Sequence, residues 1–156
     1  MNKKTTIHEF DPQIYPRLLW VVKGGTLEGI KGTFEVECET EDIGGAVTLP
    51  ARRKTDGRLG YCVWFPKAGD IRNLDWIAHE SAHVALCIFN DVGAVITYEA
   101  QEPFAYLLGW VFGCIDVIRK WKEVEKDGNS SEQQPNAEES KSEDSEATIF
   151  AKNGEA

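Results

Sequence analysis

Residues 70–90 read DIRNLDWIAHESAHVALCIFN. Leu74, Ile77, Ala78, Ser81, Ala85 and Ile88 recur at helical spacing and predict the core-facing side of one amphipathic helix. Asp70 is the expected cap. Asp91-Val92-Gly93 ends the helix, with Gly93 suited to a left-handed cap. Inside it lies His79-Glu80-Ser81-Ala82-His83, the pattern HExxH.

Downstream, a second helix is expected from near Tyr98 to about Lys126. Pro103 falls near its first turn, where proline is tolerated. Ala105, Gly109 and Gly113 lie one turn apart, a small-residue stripe expected to let this helix approach the first closely. Upstream the pattern changes to strands. Arg17–Lys23 (RLLWVVK) is a first strand bounded by Gly24-Gly25. Thr33–Glu39 alternates, with Phe34, Val36 and Cys38 opposite Glu35, Glu37 and Glu39, as a half-buried strand does. Ala46–Leu49 is a short strand ended by Pro50. Leu59–Phe65 (LGYCVWF) is rich in aromatic and β-branched residues. Lys54-Thr55-Asp56-Gly57 is a turn between these last two, so residues 46–65 predict a hairpin. Residues 1–16, with Pro12 and Pro16, read as an extended lead-in. The expected fold class is α+β: a twisted, mostly antiparallel sheet from residues 17–65 packed against the motif helix and the helix after it.

The HExxH spacing has a chemical reason. Residues i and i+4 share a helix face, so His79 and His83 can reach one zinc ion. Glu80 is then placed to act as general base on a zinc-bound water, and to pass the proton to the leaving amine. A catalytic zinc takes three protein ligands and keeps one open position. Glu102 and Glu99 are the candidates for the third. Glu102 is favoured because it shares a face with Ala105, Tyr106, Gly109 and Gly113. Cys87 shares the histidine face, but three ligands spread over two turns of a straight helix span about 12 Å, too far for one ion. His8 reaches the site only if the lead-in folds back. Tyr61, Tyr98 and Tyr106 are the possible oxyanion donors, and Asp75 and Asp91 the possible partners of a ligand imidazole.

HESAH (79–83) followed by Glu102-Pro103-Phe104-Ala105 resembles the zincin active site. The Glu-x-x-Ala step is similar to the gluzincin-type arrangement of compact ImmA/IrrE-like peptidases, which cleave regulator proteins in bacteria and mobile elements. DWIAHESAHVA with EPFAYLLGW also resembles small phage-encoded proteins with metallopeptidase domains. The similarity covers about residues 70–115. In place of the Phe-Ala-x-x-Leu-Leu-x-Pro continuation of ImmA/IrrE-like proteins stands Ala105-Tyr106-Leu107-Leu108-Gly109. The resemblance implies a zincin-like fold, His79, His83 and Glu102 as zinc ligands, and Glu80 as the catalytic acid/base. For a peptidase the expected partner is a protein or peptide substrate. If Leu59–Phe65 is an edge strand, a peptide can pair along it. The alternative expectation is a non-catalytic phage or mobile-element binding protein on the same scaffold, with a structural or vestigial metal site.

Composition narrows the remaining classes. The net charge is −9, but residues 123–156 carry ten acids and three bases, which leaves the rest nearly neutral. Residues 1–126 are expected to form one domain. Residues 127–156, rich in Ser, Glu, Gln, Asn and Lys, are expected to be an acidic disordered tail, with Ile149-Phe150 as its one apolar point. Arg52, Arg53, Lys54 and Arg58 are the only basic cluster, too small for a nucleic-acid face. The longest uncharged run, Pro103–Ile115, is 13 residues, short of the roughly 20 that span a membrane. No apolar stretch follows Lys3-Lys4, so a cytoplasmic location, in a bacterium or a phage-infected cell, is expected. Cys38, Cys62, Cys87 and Cys114 stand singly and are expected to be free thiols.

Overall fold

A computed structural model of the chain describes residues 5–39 and 43–121. The acidic segment 127–156 lies outside the described residues. Among the described residues the fold is α+β, with one five-stranded mixed sheet and three helices. In chain order the elements are β1 (Thr6–Phe10), β2 (Leu18–Lys23), α1 (Leu27–Thr33), β3 (Phe34–Val36), β4 (Val47–Arg53), β5 (Leu59–Phe65), α2 (Leu74–Asp91) and α3 (Glu102–Lys120). A single 3-10 turn, Asp70–Arg72, precedes α2.

The sheet order is β1-β2-β5-β4-β3. Only β2 and β5 run parallel; the other three pairings are antiparallel. β2 and β5 lie at the centre of the sheet, with β4 as the third inner strand, and their nearly unbroken apolar sequences reflect cover on both faces. Leu19, Val21, Tyr61, Val63 and Phe65 face α2 and α3. Leu18, Trp20, Val22, Cys62 and Trp64 face α1, which contributes Leu27 and Ile30. Gly60 is required where β5 meets β2: a Cβ there would stand 2.2 Å from the Leu18 carbonyl oxygen and 2.8 Å from the Trp20 ring.

Several expectations are corrected. β5 is central, so it offers no edge to a peptide; the sheet ends at β1 and β3. The segment 1–16 contains β1, and α1 follows Gly24-Gly25. β4 runs through Pro50 instead of ending there. Proline interrupts a ladder by its missing donor, and the β3–β4 ladder stops at Val36–Ala51, just before Pro50 is reached. The hairpin turn forms as expected, with Gly57 at φ +73°. α2 starts later than expected. Asn73, not Asp70, is its cap, and its side-chain oxygen accepts from the Asp75 and Trp76 amides. Gly93 follows α2 at φ +67°. α3 starts at Glu102 because a start at Tyr98 would bury Pro103 in the helix interior, where its missing N–H breaks the ladder. No helix among the described residues is long and apolar enough to cross a membrane.

Candidate functional site

α2 buries Ile77, Glu80, Ser81, Val84, Ala85, Ile88 and Phe89. Leu74 and Ala78, expected in the core, are exposed. The buried arc is rotated relative to the expectation, and Glu80 lies at its edge. His79 and His83 remain on the exposed side. Their Nε2 atoms are 2.9 Å apart, and the rings meet edge to face with centroids 4.5 Å apart. Two imidazoles on a tetrahedral zinc, each about 2.0–2.1 Å from the ion, hold their nitrogens about 3.4 Å apart. The nitrogens stand about half an ångström closer than in such a chelate, at hydrogen-bond distance from one another.

Glu80 is 6% exposed. Its Oε2 accepts a 2.7 Å hydrogen bond from the Thr48 hydroxyl on β4, and Oε1 has no partner among the described residues. The segment leading into β4 is fitted to α2 one turn earlier. Gly45, at φ +151°, lies so close to the Trp76 ring that a Cβ would come within 2.6 Å of it. The strand thus arrives against Trp76 and presents Thr48 to Glu80.

The other site candidates are dispersed. Phe104 of α3 packs edge to face on Phe89 of α2 at 5.4 Å, which sets the first turn of α3 beside the last turn of α2. Phe89 lies six residues beyond His83, about 9 Å along the helix axis. Glu102 accordingly lines a separate groove with Pro12, Ile14, Tyr15, Tyr106 and Trp110. Glu99 is exposed in the loop before it. Among the described residues no group of three or more His, Cys, Asp or Glu side chains is gathered to hold a metal ion. The two histidines are of the ligand type that zinc takes; a third ligand is not gathered beside them among the described residues.

The small-residue stripe is also corrected. Ala105, Gly109 and Gly113 are exposed, and a Cβ on either glycine would meet nothing within 4 Å. α3 instead buries Leu107, Val111, Cys114, Ile115 and Ile118.

Of the possible oxyanion donors, Tyr98 and Tyr106 are exposed. Tyr61 is committed elsewhere. Its hydroxyl donates to Asp91 at 2.7 Å, and Arg17 Nε donates to the same carboxylate oxygen at 2.6 Å. Burial, then the Asp91 carboxylate, push the Tyr61 hydroxyl well above the usual phenol range. Asp91 is thus a tie between β5 and α2, and no partner of the imidazoles. Asp75 is exposed in the first turn of α2, where a carboxylate favours the helix dipole.

Cys87 is half-buried, its thiol raised by burial and by Asp91. His8 does not fold back to the site. It sits on β1 with its ring 5.4 Å from Trp121, and burial, then Lys23, lower its pKa. None of Cys38, Cys62, Cys87 and Cys114 is joined in a disulfide. Sequence reasoning missed Thr48 and Gly45. The alternation of Val47 and Leu49 about Thr48 was the available signal for a polar side chain on the opposite strand face. No protein-family model, curated protein or solved structure matches the chain.

Proposed function

We propose that this chain is a zinc-dependent peptidase on a zincin-like scaffold, with His79 and His83 holding the metal and Glu80 handling the proton. The observation that carries the reading is the convergence of the two Nε2 atoms at 2.9 Å beside a carboxylate fixed by Thr48. Zinc bound there supplies polarisation of the scissile carbonyl and a more acidic water. The protein's own part is positional. Thr48 holds Oε2, which leaves Oε1 to accept a proton and return it to the leaving amine.

The substrate edge moves from β5 to β4. β3 pairs only with Ala51–Arg53, so among the described residues Val47–Pro50 have a strand partner on the β5 side alone. An extended peptide can add to that half of β4, next to Glu80.

The third ligand proposed from the sequence is Glu102. Its ligation asks the first turn of α3 to leave its seat on Phe89. That one observation favours a second reading, a phage or mobile-element binding protein that keeps the scaffold without turnover. Zinc stoichiometry and hydrolysis of a peptide library separate the two. The peptidase reading expects zinc in the wild type, its loss from His79→Ala, His83→Ala and Glu102→Ala, and abolished hydrolysis with retained zinc in Glu80→Gln. Zinc retained by Glu102→Ala, together with no hydrolysis by the wild type, overturns it in favour of the binding protein.

A further inference from the structure

One edge of α2 carries Trp76, Glu80, Cys87 and Asp91, spaced by four, seven and four residues, which keeps them on one side of the helix. That edge follows the sheet: Trp76 lies on Gly45, Glu80 takes the Thr48 hydroxyl, and Asp91 takes the Tyr61 hydroxyl. Thr48, Pro50 and Arg52 alternate onto the same sheet face as their partners Val63, Tyr61 and Leu59. α2 covers that face at Val63 and Tyr61 and ends before Leu59, which stays 47% exposed. Beyond the end of α2 the uncovered face forms a groove of about 590 Å³. Pro50, Leu59 and Tyr61 line its floor, and Arg17, Arg52 and Glu35 its rim.

The charges of the groove are mostly spent internally. Arg17 is bonded to Asp91, and Arg52 to Glu35 at 3.2 Å. Neither arginine is left over for a substrate carboxylate. Glu37, also on the rim, has no cation partner among the described residues. The floor therefore decides what binds, and it is apolar. A strand rises about 3.3 Å per residue, so Pro50 stands about 7 Å and Arg52 about 13 Å along β4 from the residue that touches Glu80.

We propose that this groove is the specificity pocket of the site at Glu80, taking an apolar side chain of an extended peptide about two to four residues from the bond attacked. The proposal rests on the peptidase reading. Acidic side chains are disfavoured there by Glu37.

The experiment uses the full chain with internally quenched peptides. They vary one position at a time among Leu, Phe, Lys and Asp, on both sides of the bond. The wild type should prefer Leu or Phe over Asp at one position in that window. Leu59→Glu, which places an acid on the floor at a half-exposed position, should lower that preference roughly tenfold, the scale on which hydrophobic pockets discriminate. It should raise cleavage of the Lys peptides relative to the Leu and Phe peptides, since the new carboxylate attracts a cation. Leu59→Ala adds no charge and should weaken the same preference more mildly, which guards against a folding defect. Binding of the preferred peptide to Glu80→Gln, with and without Leu59→Glu, should show the same loss without turnover. If the wild type cleaves and Leu59→Glu leaves its profile and binding unchanged, the pocket assignment is wrong and the peptidase reading stands. If the wild type neither cleaves nor binds any of the peptides, both are overturned.

Discussion

Replacing Thr48 by Val tests whether β4 positions Glu80. The Thr48 hydroxyl donates to Glu80 Oε2 at 2.7 Å, and the carboxylate it serves is 6% exposed. Valine has nearly the shape of threonine, so the change removes the donor and little packing. Hydrogen bonds to charged groups contribute about 1.5–3 kcal/mol, and a buried acceptor left without its donor carries its full desolvation cost. Thr48→Val should therefore destabilise the fold by about 2 kcal/mol. In a Glu80→Ala background the same substitution should cost less than about 0.5 kcal/mol, because only the long 3.4 Å contact of the hydroxyl with the main-chain carbonyl oxygen of residue 80 remains. The coupling energy from the double-mutant cycle is then about 1.5–2 kcal/mol. Urea unfolding of the wild type, the two single variants and the double variant measures it. Thr48→Ser keeps the hydroxyl and should recover most of the stability. A coupling near zero would refute the claim that Thr48 holds Glu80, and with it the preset carboxylate on which the proposed proton transfer depends.

Gly60→Ala drives a methyl into the Leu18 carbonyl and the Trp20 ring, between two inner strands that cannot separate. It should destabilise by about 3 kcal/mol in denaturant unfolding, and a change under about 0.5 kcal/mol would show that the β2–β5 contact is looser than the structure has it. Asp56 accepts from the Arg53 guanidinium, which holds its carboxyl down to about 2 from the ordinary 3.8. A depressed folded pKa means that its stabilising contribution is present above pH 3.8 and is lost as pH falls toward about 2. Asp56→Asn should flatten the acid limb of the stability–pH curve in that window, and an unchanged limb would assign the acid sensitivity to other carboxylates.

What the sequence made legible follows from how strongly each segment's own pattern decides its fate. Leu59–Phe65 is apolar throughout and bounded by a turn, and it forms a strand with those ends. The LGYCVWF run does not say whether it is an inner or an edge strand; burial of both its faces does, and that needs the pairing with β2 and β4. α1 escapes detection because seven residues with Gly29 and Gly32 show too little periodicity, and Leu27 and Ile30 alone mark its buried side. β1 is a short alternating strand whose pairing with β2 supplies what its sequence lacks. α3 is the clearest case of tertiary decision. From Pro103 to Ile115 it has no charge, so periodicity does not choose a face. Burial free energy scales with apolar area, so Leu107, Val111 and Ile115 go inward and the small stripe is left outside. That inverts the face on which the approach of Glu102 had been argued.

The same geometry explains why half of the site was readable and half was not. Successive helix residues are about 100° apart, so His83 lies between His79 and Glu80 around the axis of α2. A helix that exposes both histidines and buries Glu80 must have its neighbour on the Glu80 side, and that neighbour is β4, through Thr48. α3 meets α2 through Phe89, whose azimuth is on the opposite side of the histidines from Glu80. The local spacing HExxH thus fixes the two imidazoles and the acid on its own, since all three ride one helix. A third ligand depends on which edge of α2 the next helix occupies, and no local spacing encodes that. The peptidase reading accordingly puts its substrate on the β4 side of α2, where a half-free strand, a fixed carboxylate and an apolar groove follow one another along the sheet, while the Glu102 groove lies across the helix from them.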